Sequence, residues 1–200
     1  MTKYYAVKKG RKPGIYTSWD ACKAQVSGVS GAVYKSFSTV EEANAFVEIN
    51  QDTNAYQPET IPDNMVYAYV DGSYNDLAMV YGYGGFLHIG DLDIPFKGAG
   101  DDLEMASMRN VAGEILGCMT AVQMALQYKV KEMVIFYDYE GIARWALGEW
   151  KRNKTGTKEY YKKMQEWQKQ IKIHFVHVKG HTGVAGNEFA DKLAKEAVGL

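Results

Sequence analysis

Val66-Tyr67-Ala68-Tyr69-Val70-Asp71-Gly72-Ser73 and Met133-Val134-Ile135-Phe136-Tyr137-Asp138 decide the fold. Each is an apolar run, rich in β-branched and aromatic residues, that closes on an aspartate, and each reads as a strand. The second run is apolar throughout, as a strand covered on both faces requires. If the two strands lie parallel and adjacent, Asp71 and Asp138 meet at their carboxyl ends, where open α/β sheets place ligands.

Outward from the first strand, Met79–Ile89 and Leu92–Phe96 continue as an antiparallel meander. A helix follows over Ser107–Gln127, with Val111, Ile115, Met119, Val122 and Leu126 at helical spacing. After the second strand come a short helix over Gly141–Leu147, a helix over Thr157–Gln170, a strand over Ile171–Val178 and a last helix from Gly186-Asn187 to near Val198. Three strands followed by alternating helices and strands predict an α/β domain, a mixed five-stranded sheet with helices on its faces, over residues 65–200. Residues 49–64, with Pro58 and Pro62 and no periodicity, read as a linker. Residues 1–48 read as a small α+β module with three strands, Tyr4–Val7, Ile15-Tyr16 and Val33–Phe37. Ser18 caps its first helix, and Ser38 with Glu41 forms a capping box for the second, which runs to Val47.

The 200 residues carry 23 Lys+Arg against 24 Asp+Glu, and 46% are apolar, which excludes wholesale disorder. No uninterrupted apolar run is long enough to span a bilayer, so no membrane partner is expected. Cys22 and Cys118 are too few and too far apart for a disulfide framework. The start, Met1-Thr2-Lys3-Tyr4-Tyr5, lacks an export signature, so a cytoplasmic protein is expected. The near-neutral total hides an uneven distribution. Residues 1–50 hold seven basic and four acidic residues, and residues 144–172 hold nine basic and three acidic ones. A charge run is most often a solvated helix face, so charge alone names no partner.

Four carboxylates stand where mere solubility would not require them. Asp71 and Asp138 close apolar strands, Glu114 lies on the first long helix at the edge of its apolar stripe, and Asp191 follows Glu188 by three residues on the last helix. Taken singly, each has an ordinary explanation as a turn, cap or solvated residue. Drawn together they would repel one another unless a cation compensated them. A set of hard oxygen ligands without Cys or His suits Mg²⁺ or Mn²⁺ rather than Zn²⁺.

Val70-Asp71-Gly72-Ser73, Asn110-x-x-x-Glu114, Phe136-Tyr137-Asp138 and Val178-Lys179-Gly180-His181-Thr182-Gly183 followed by Asn187-Glu188-x-x-Asp191 together resemble type 1 ribonuclease H, in order and spacing. The resemblance implies a ribonuclease H-like domain with Asp71, Glu114, Asp138 and Asp191 as ligands of two Mg²⁺ or Mn²⁺ ions. It implies Glu188 as an auxiliary carboxylate, and His181 as an aid to proton transfer or product release. Asn110, Gly72 and Ser73 would contact substrate. Arg109-Asn110-Val111 stands where the family commonly has Thr-Asn-Asn, Tyr139 follows Asp138 in place of a small hydroxyl residue, and the loop after Ser73 is short. Arg109 would then take over the DNA-phosphate pocket.

Residues 1–48 resemble the hybrid-binding domain attached to many of these nucleases, through Tyr5–Gly14, Thr17-x-Trp19, Tyr34-Lys35-x-Phe37 and Ala43-x-Ala45-Phe46-Val47. Tyr5, Trp19 and Tyr34 would meet deoxyribose and Lys35 would meet phosphate; Phe37 is assigned to core. The resemblance implies a monomeric endoribonuclease that cuts the RNA strand of an RNA–DNA hybrid by in-line attack of water, leaving 5′-phosphate and 3′-hydroxyl ends. Its module is open to double-stranded RNA as well. Two competing expectations are a catalytically silent hybrid- or double-stranded-RNA-binding protein and an integrase-like strand transferase. The complete carboxylate set argues against the first, and the Lys179-Gly180-His181 loop against the second.

Overall fold

The computed structural model describes residues 3–48, 56–180 and 183–200, and the chain divides into two units, Met1–Asn54 and Ala55–Leu200. In the first unit, β1 (Tyr4–Lys9), β2 (Gly14–Tyr16), α1 (Trp19–Val26), β3 (Val33–Phe37) and α2 (Val40–Glu48) form an antiparallel sheet of order β2-β1-β3 with two helices. The period-two alternation of β1 places its neighbouring residues on opposite faces. Ala6 packs with Ala43 and Phe46 of α2, and Val7 with Cys22 and Val26 of α1. Ser18 caps α1, its hydroxyl accepting from the Ala21 amide at 3.3 Å. The cap of α2 is Thr39, not Ser38. The Thr39 hydroxyl accepts from Glu42 N at 3.2 Å, and its carbonyl accepts from Ala43 N. The Thr-x-x-Glu pattern one residue downstream won because that carbonyl already opens the helical ladder.

The second unit contains β4 (Val66–Asn75), β5 (Val80–Ile89), β6 (Leu92–Gly100), α3 (Leu103–Ala106), α4 (Asn110–Gln127), β7 (Glu132–Tyr137), α5 (Gly141–Ala146), α6 (Thr155–Trp167), β8 (Lys172–His177) and α7 (Ala185–Ala197). The sheet order is β6-β5-β4-β7-β8; β4, β5 and β6 pair antiparallel, and β4–β7 and β7–β8 pair parallel. Val70, Ile135, Tyr137 and Phe175 face a core closed by Ile115 of α4, Ile142 of α5 and Tyr160 of α6. Tyr69, Phe136 and Val176 face the other side, under Ala190 of α7. The uninterrupted apolar run at 133–137 is the sequence record of this two-sided burial. Among the described residues no helix is long and apolar enough to cross a membrane.

Three features differ from the sequence reading. The helix expected over Ser107–Gln127 is two helices, because Arg109 adopts φ 57° and breaks the ladder before α4. β4 and β6 run further than Asp71 and Phe96, since the β4–β5 and β5–β6 ladders continue to Asn75↔Val80 and Tyr81↔Gly100. Residues 49–55 of the expected linker lie outside the described residues. Tyr56 and Ile61, from the same stretch, pack on the second face of the sheet, with Tyr56 edge-on to His174 at 4.9 Å. Their apolar bodies cover sheet surface that α7 leaves open.

Two glycines seat α4 against the sheet. A Cβ on Gly72 would collide with the Asn110 carbonyl, and one on Gly113 with the Gly82 carbonyl. Backbone therefore approaches backbone where α4 crosses β4 and β5.

Candidate active site

The parallel pairing of β4 with β7 ends at Tyr69↔Phe136. Asp71 and Asp138 each lie two residues beyond that last pair, so both strands release a carboxylate at the same level. Because α4 sits so close to β4, Glu114 lies in the middle of the helix's buried face rather than at its edge. It is flanked by buried Gly113, Ile115 and Cys118 and is itself 2% exposed. Asp71, Glu114 and Asp138 each present one oxygen, and these oxygens lie within 4.8 Å of one another.

Little protein polarity compensates this cluster. Asp71 Oδ1 accepts from Gly72 N at 2.7 Å, and Glu114 Oε1 accepts from Asn110 Nδ2 at 3.3 Å. Glu114 Oε2 is buried with no hydrogen-bond partner among the described residues. Burial first, then the charge of Asp138, pushes the Asp71 carboxyl up to about 7; Asp191 adds to the rise, and the Gly72 amide and Lys195 oppose it. Burial, then Asp138 and Asp71, raises Glu114 well above the usual carboxylate range. A buried anion is expensive unless paired, and Glu114 has one amide donor on Oε1 and none on Oε2 among the described residues. Oxygen donors alone, one of them unsatisfied, fit Mg²⁺ or Mn²⁺.

The other expected residues divide. Asp191 on α7 is outside the group of three, and its Oδ2 is bound by Lys195 Nζ at 2.7 Å. Glu188, on the first turn of α7, is exposed and also outside the three. His181 lies outside the described residues. Asn110 is exposed at the start of α4, and Ser73 is buried in β4. Arg109 is exposed, paired with Asp76 at 2.5 Å, its guanidinium 5.0 Å from the Tyr74 ring centroid. In the first unit, Trp19 lies between Tyr5 and Tyr34, each ring pair 5.8 Å apart, and Trp19 and Tyr34 are exposed. Lys35 points from the opposite face of β3, its ammonium 5.5 Å from the Phe37 ring. The pleat puts Lys35 and Tyr34 on opposite faces of β3.

Sequence reasoning passed over three groups. His177 Nε2 lies 2.8 Å from the Asp138 carbonyl, an acceptor only, so the imidazole donates there. The β7–β8 ladder has just ended at Val178 N to Tyr137 O, leaving that carbonyl without a backbone partner in the ladder. Asn187, which the sequence motif contains without a role of its own, is buried on α7, its Oδ1 without a partner among the described residues. Trp145 and Trp150 stand 5.9 Å apart, with Tyr139 5.7 Å from Trp145. Trp145 and Tyr139 line a cavity of about 320 Å³ together with Met108, Val111, Lys151 and Lys154. The five-residue spacing of the two tryptophans, with lysines following, was the available signal.

A family model described as RNase H matches residues 63–199, and one described as the ribonuclease H1 N-terminal domain matches residues 3–47. Ribonuclease H1 of Homo sapiens is 26% identical over 253 residues, covering 96% of this chain and 88% of that protein. Ribonuclease H of Francisella philomiragia is 33% identical over 147 residues, covering 68% of this chain and 91% of its own. The crystal structure of LC11-RNase H1 in complex with RNA/DNA hybrid superposes with a TM-score of 0.52 at 16% identity, covering 66% of this chain and 99% of that one, a likeness of fold.

Proposed function

Because this chain belongs to the ribonuclease H family, we propose that it hydrolyses the RNA strand of RNA–DNA hybrids, leaving 5′-phosphate and 3′-hydroxyl ends. The observation that carries the reading is the convergence of Asp71, Glu114 and Asp138 from three separate elements, with a Glu114 oxygen buried and unpartnered. These three, with Asp191, would hold two divalent ions. When bound, such ions supply Lewis acidity to both the attacking water and the departing oxygen of an in-line displacement.

The chain's own residues do the rest. Burial of Asp71 and Glu114 keeps bulk water from screening the charge they carry. Asn110, exposed one turn before Glu114, is placed to meet the strand at the site. Glu188 serves as an auxiliary carboxylate, and His181 assists the proton needed by the departing 3′-oxygen. Gly72 and Ser73 border the site on β4, and Arg109 meets a DNA phosphate. Tyr5, Trp19 and Tyr34 hold deoxyribose of the hybrid and Lys35 a phosphate, so that residues 1–48 bind, 49–64 connect and 65–200 cut. The family match over residues 63–199 supports the substrate, and the fold is shared with a ribonuclease H1 solved in complex with RNA/DNA hybrid.

The test is a labelled hybrid, a single-stranded RNA and a DNA duplex, each with Mg²⁺ or Mn²⁺. The expected result is cleavage of the hybrid's RNA strand alone, with 3′ ends that a polymerase extends. Preferential cutting of DNA would reject the substrate. In the first unit, joint replacement Trp19→Ala and Tyr34→Ala is expected to weaken hybrid binding about tenfold or more while single-turnover rate at saturating enzyme stays put. A gel-shift titration measures the first and a quench assay the second; unchanged affinity would remove these rings from the interface.

A further inference from the structure

We propose that Lys195 is a built-in counter-cation of the acidic site, and that it sets how tightly the divalent ion shared by Asp191 is held. The proposal rests on the metal-dependent reading above and deepens it.

Three observations carry it. Lys195 Nζ sits 2.7 Å from Asp191 Oδ2, one helical turn further along α7, with the acid N-terminal to the base as the helix favours. Asp191 is 23% exposed and Lys195 47%, so the carboxylate end of the pair is the more shielded from solvent and salt. The other cations beside this stretch of helix are drawn elsewhere, Lys97 and Lys192 both to Glu196, at 2.9 and 3.9 Å.

Asp191 is the one member of the expected ligand set outside the group of three, and its Oδ2 is held by the Lys195 ammonium. With no divalent ion present, Asp191 would add a further negative charge to carboxylates that already repel one another. Lys195 neutralises it in place. An incoming ion must then share Asp191 with a fixed positive charge, or displace it, and meets its repulsion in either case. The first ion, held by Asp71, Glu114 and Asp138, feels this less than the second, which depends on Asp191.

The experiment is a Mn²⁺ titration of the intact protein at pH 8 and low salt, followed by calorimetry, for wild type, Lys195→Gln and Lys195→Arg. Circular dichroism and the melting temperature check that each variant is folded. Lys195→Gln is expected to bind the weaker Mn²⁺ about tenfold tighter, and Lys195→Arg to bind it as wild type does. In hybrid cleavage the Mg²⁺ activation curve of Lys195→Gln moves to lower concentration. An unchanged or weaker second affinity in folded Lys195→Gln overturns the proposal, as does an Arg variant that behaves like Gln. A wild type that takes up no Mn²⁺ removes it together with the metal reading. A wild type that binds Mn²⁺ and leaves hybrid intact removes the nuclease reading alone.

Discussion

Replacing Glu114 with Gln is expected to lower hybrid cleavage by on the order of 10³-fold or more and, at the same time, to make the ion-free protein more stable. The two effects share one cause. Glu114 is 2% exposed, shares its space with Asp71 and Asp138, and has one oxygen with no partner among the described residues. Such a carboxylate is useful only to a cation; to the empty fold it is a cost. The isosteric amide removes the charge and offers an N–H to the neighbouring carboxylates. The gain in stability is expected to be about 1–3 kcal/mol near neutral pH, read as a rise of several degrees in melting temperature after chelator treatment. An ordinary structural glutamate would show the opposite, a loss of stability with activity retained. Turnover at wild-type level in Glu114→Gln would place the chemistry elsewhere. A falling melting temperature would mean the carboxylate is compensated by something other than an ion.

Stability of the ion-free second unit is expected to fall as pH rises from about 4 to about 8, and divalent ions to restore it at the alkaline end. Asp71 titrates at 3.8 when unfolded and about 7 when folded, raised mainly by burial and by Asp138. Between those values the folded state holds the extra proton, so stability declines with increasing pH; the whole step is on the order of 4 kcal/mol. Glu114 acts with the same sign. Glu132 acts oppositely and in another window. Hydrogen bonds from His174 and Lys172 lower its pKa below 4.5, so its contribution is present above 4.5 and lost in acid. Ligand ions compete with protons for the same oxygens. Millimolar Mn²⁺ should therefore raise the melting temperature strongly at pH 8 and little at pH 5. Differential scanning calorimetry with and without chelator measures both slopes. A flat ion-free profile, or equal Mn²⁺ shifts at the two pH values, would contradict the picture of a strained acid cluster.

Much of this could be read before any coordinates. Apolar runs ending in Asp71 and Asp138 marked two strands, because burial leaves an apolar signature; their parallel, adjacent pairing was a condition that the sheet met. The strand Val33–Phe37 and the Ser18 cap were legible for equally local reasons. Where neighbouring positions offered competing patterns or an unusual backbone angle, the reading slipped. The α2 cap moved from Ser38 to Thr39, where two adjacent hydroxyl residues offered equivalent patterns. The helix predicted from Ser107 broke at Arg109, whose positive φ no propensity foretold.

By itself, the order of residues determined which side chains this protein owns for its chemistry, and on which strands and helices they ride, because hydrophobic periodicity and capping are local. Tertiary structure alone decided who stands within reach of whom. Gly72 and Gly113 let α4 settle onto the sheet, and that close seating sinks Glu114 beside Asp71. The packing of α7 on the sheet brings Asp191 near enough for its charge to act on Asp71. Distances between oxygens and the solvent withheld from them set those charges, and neither is a property of any segment taken alone.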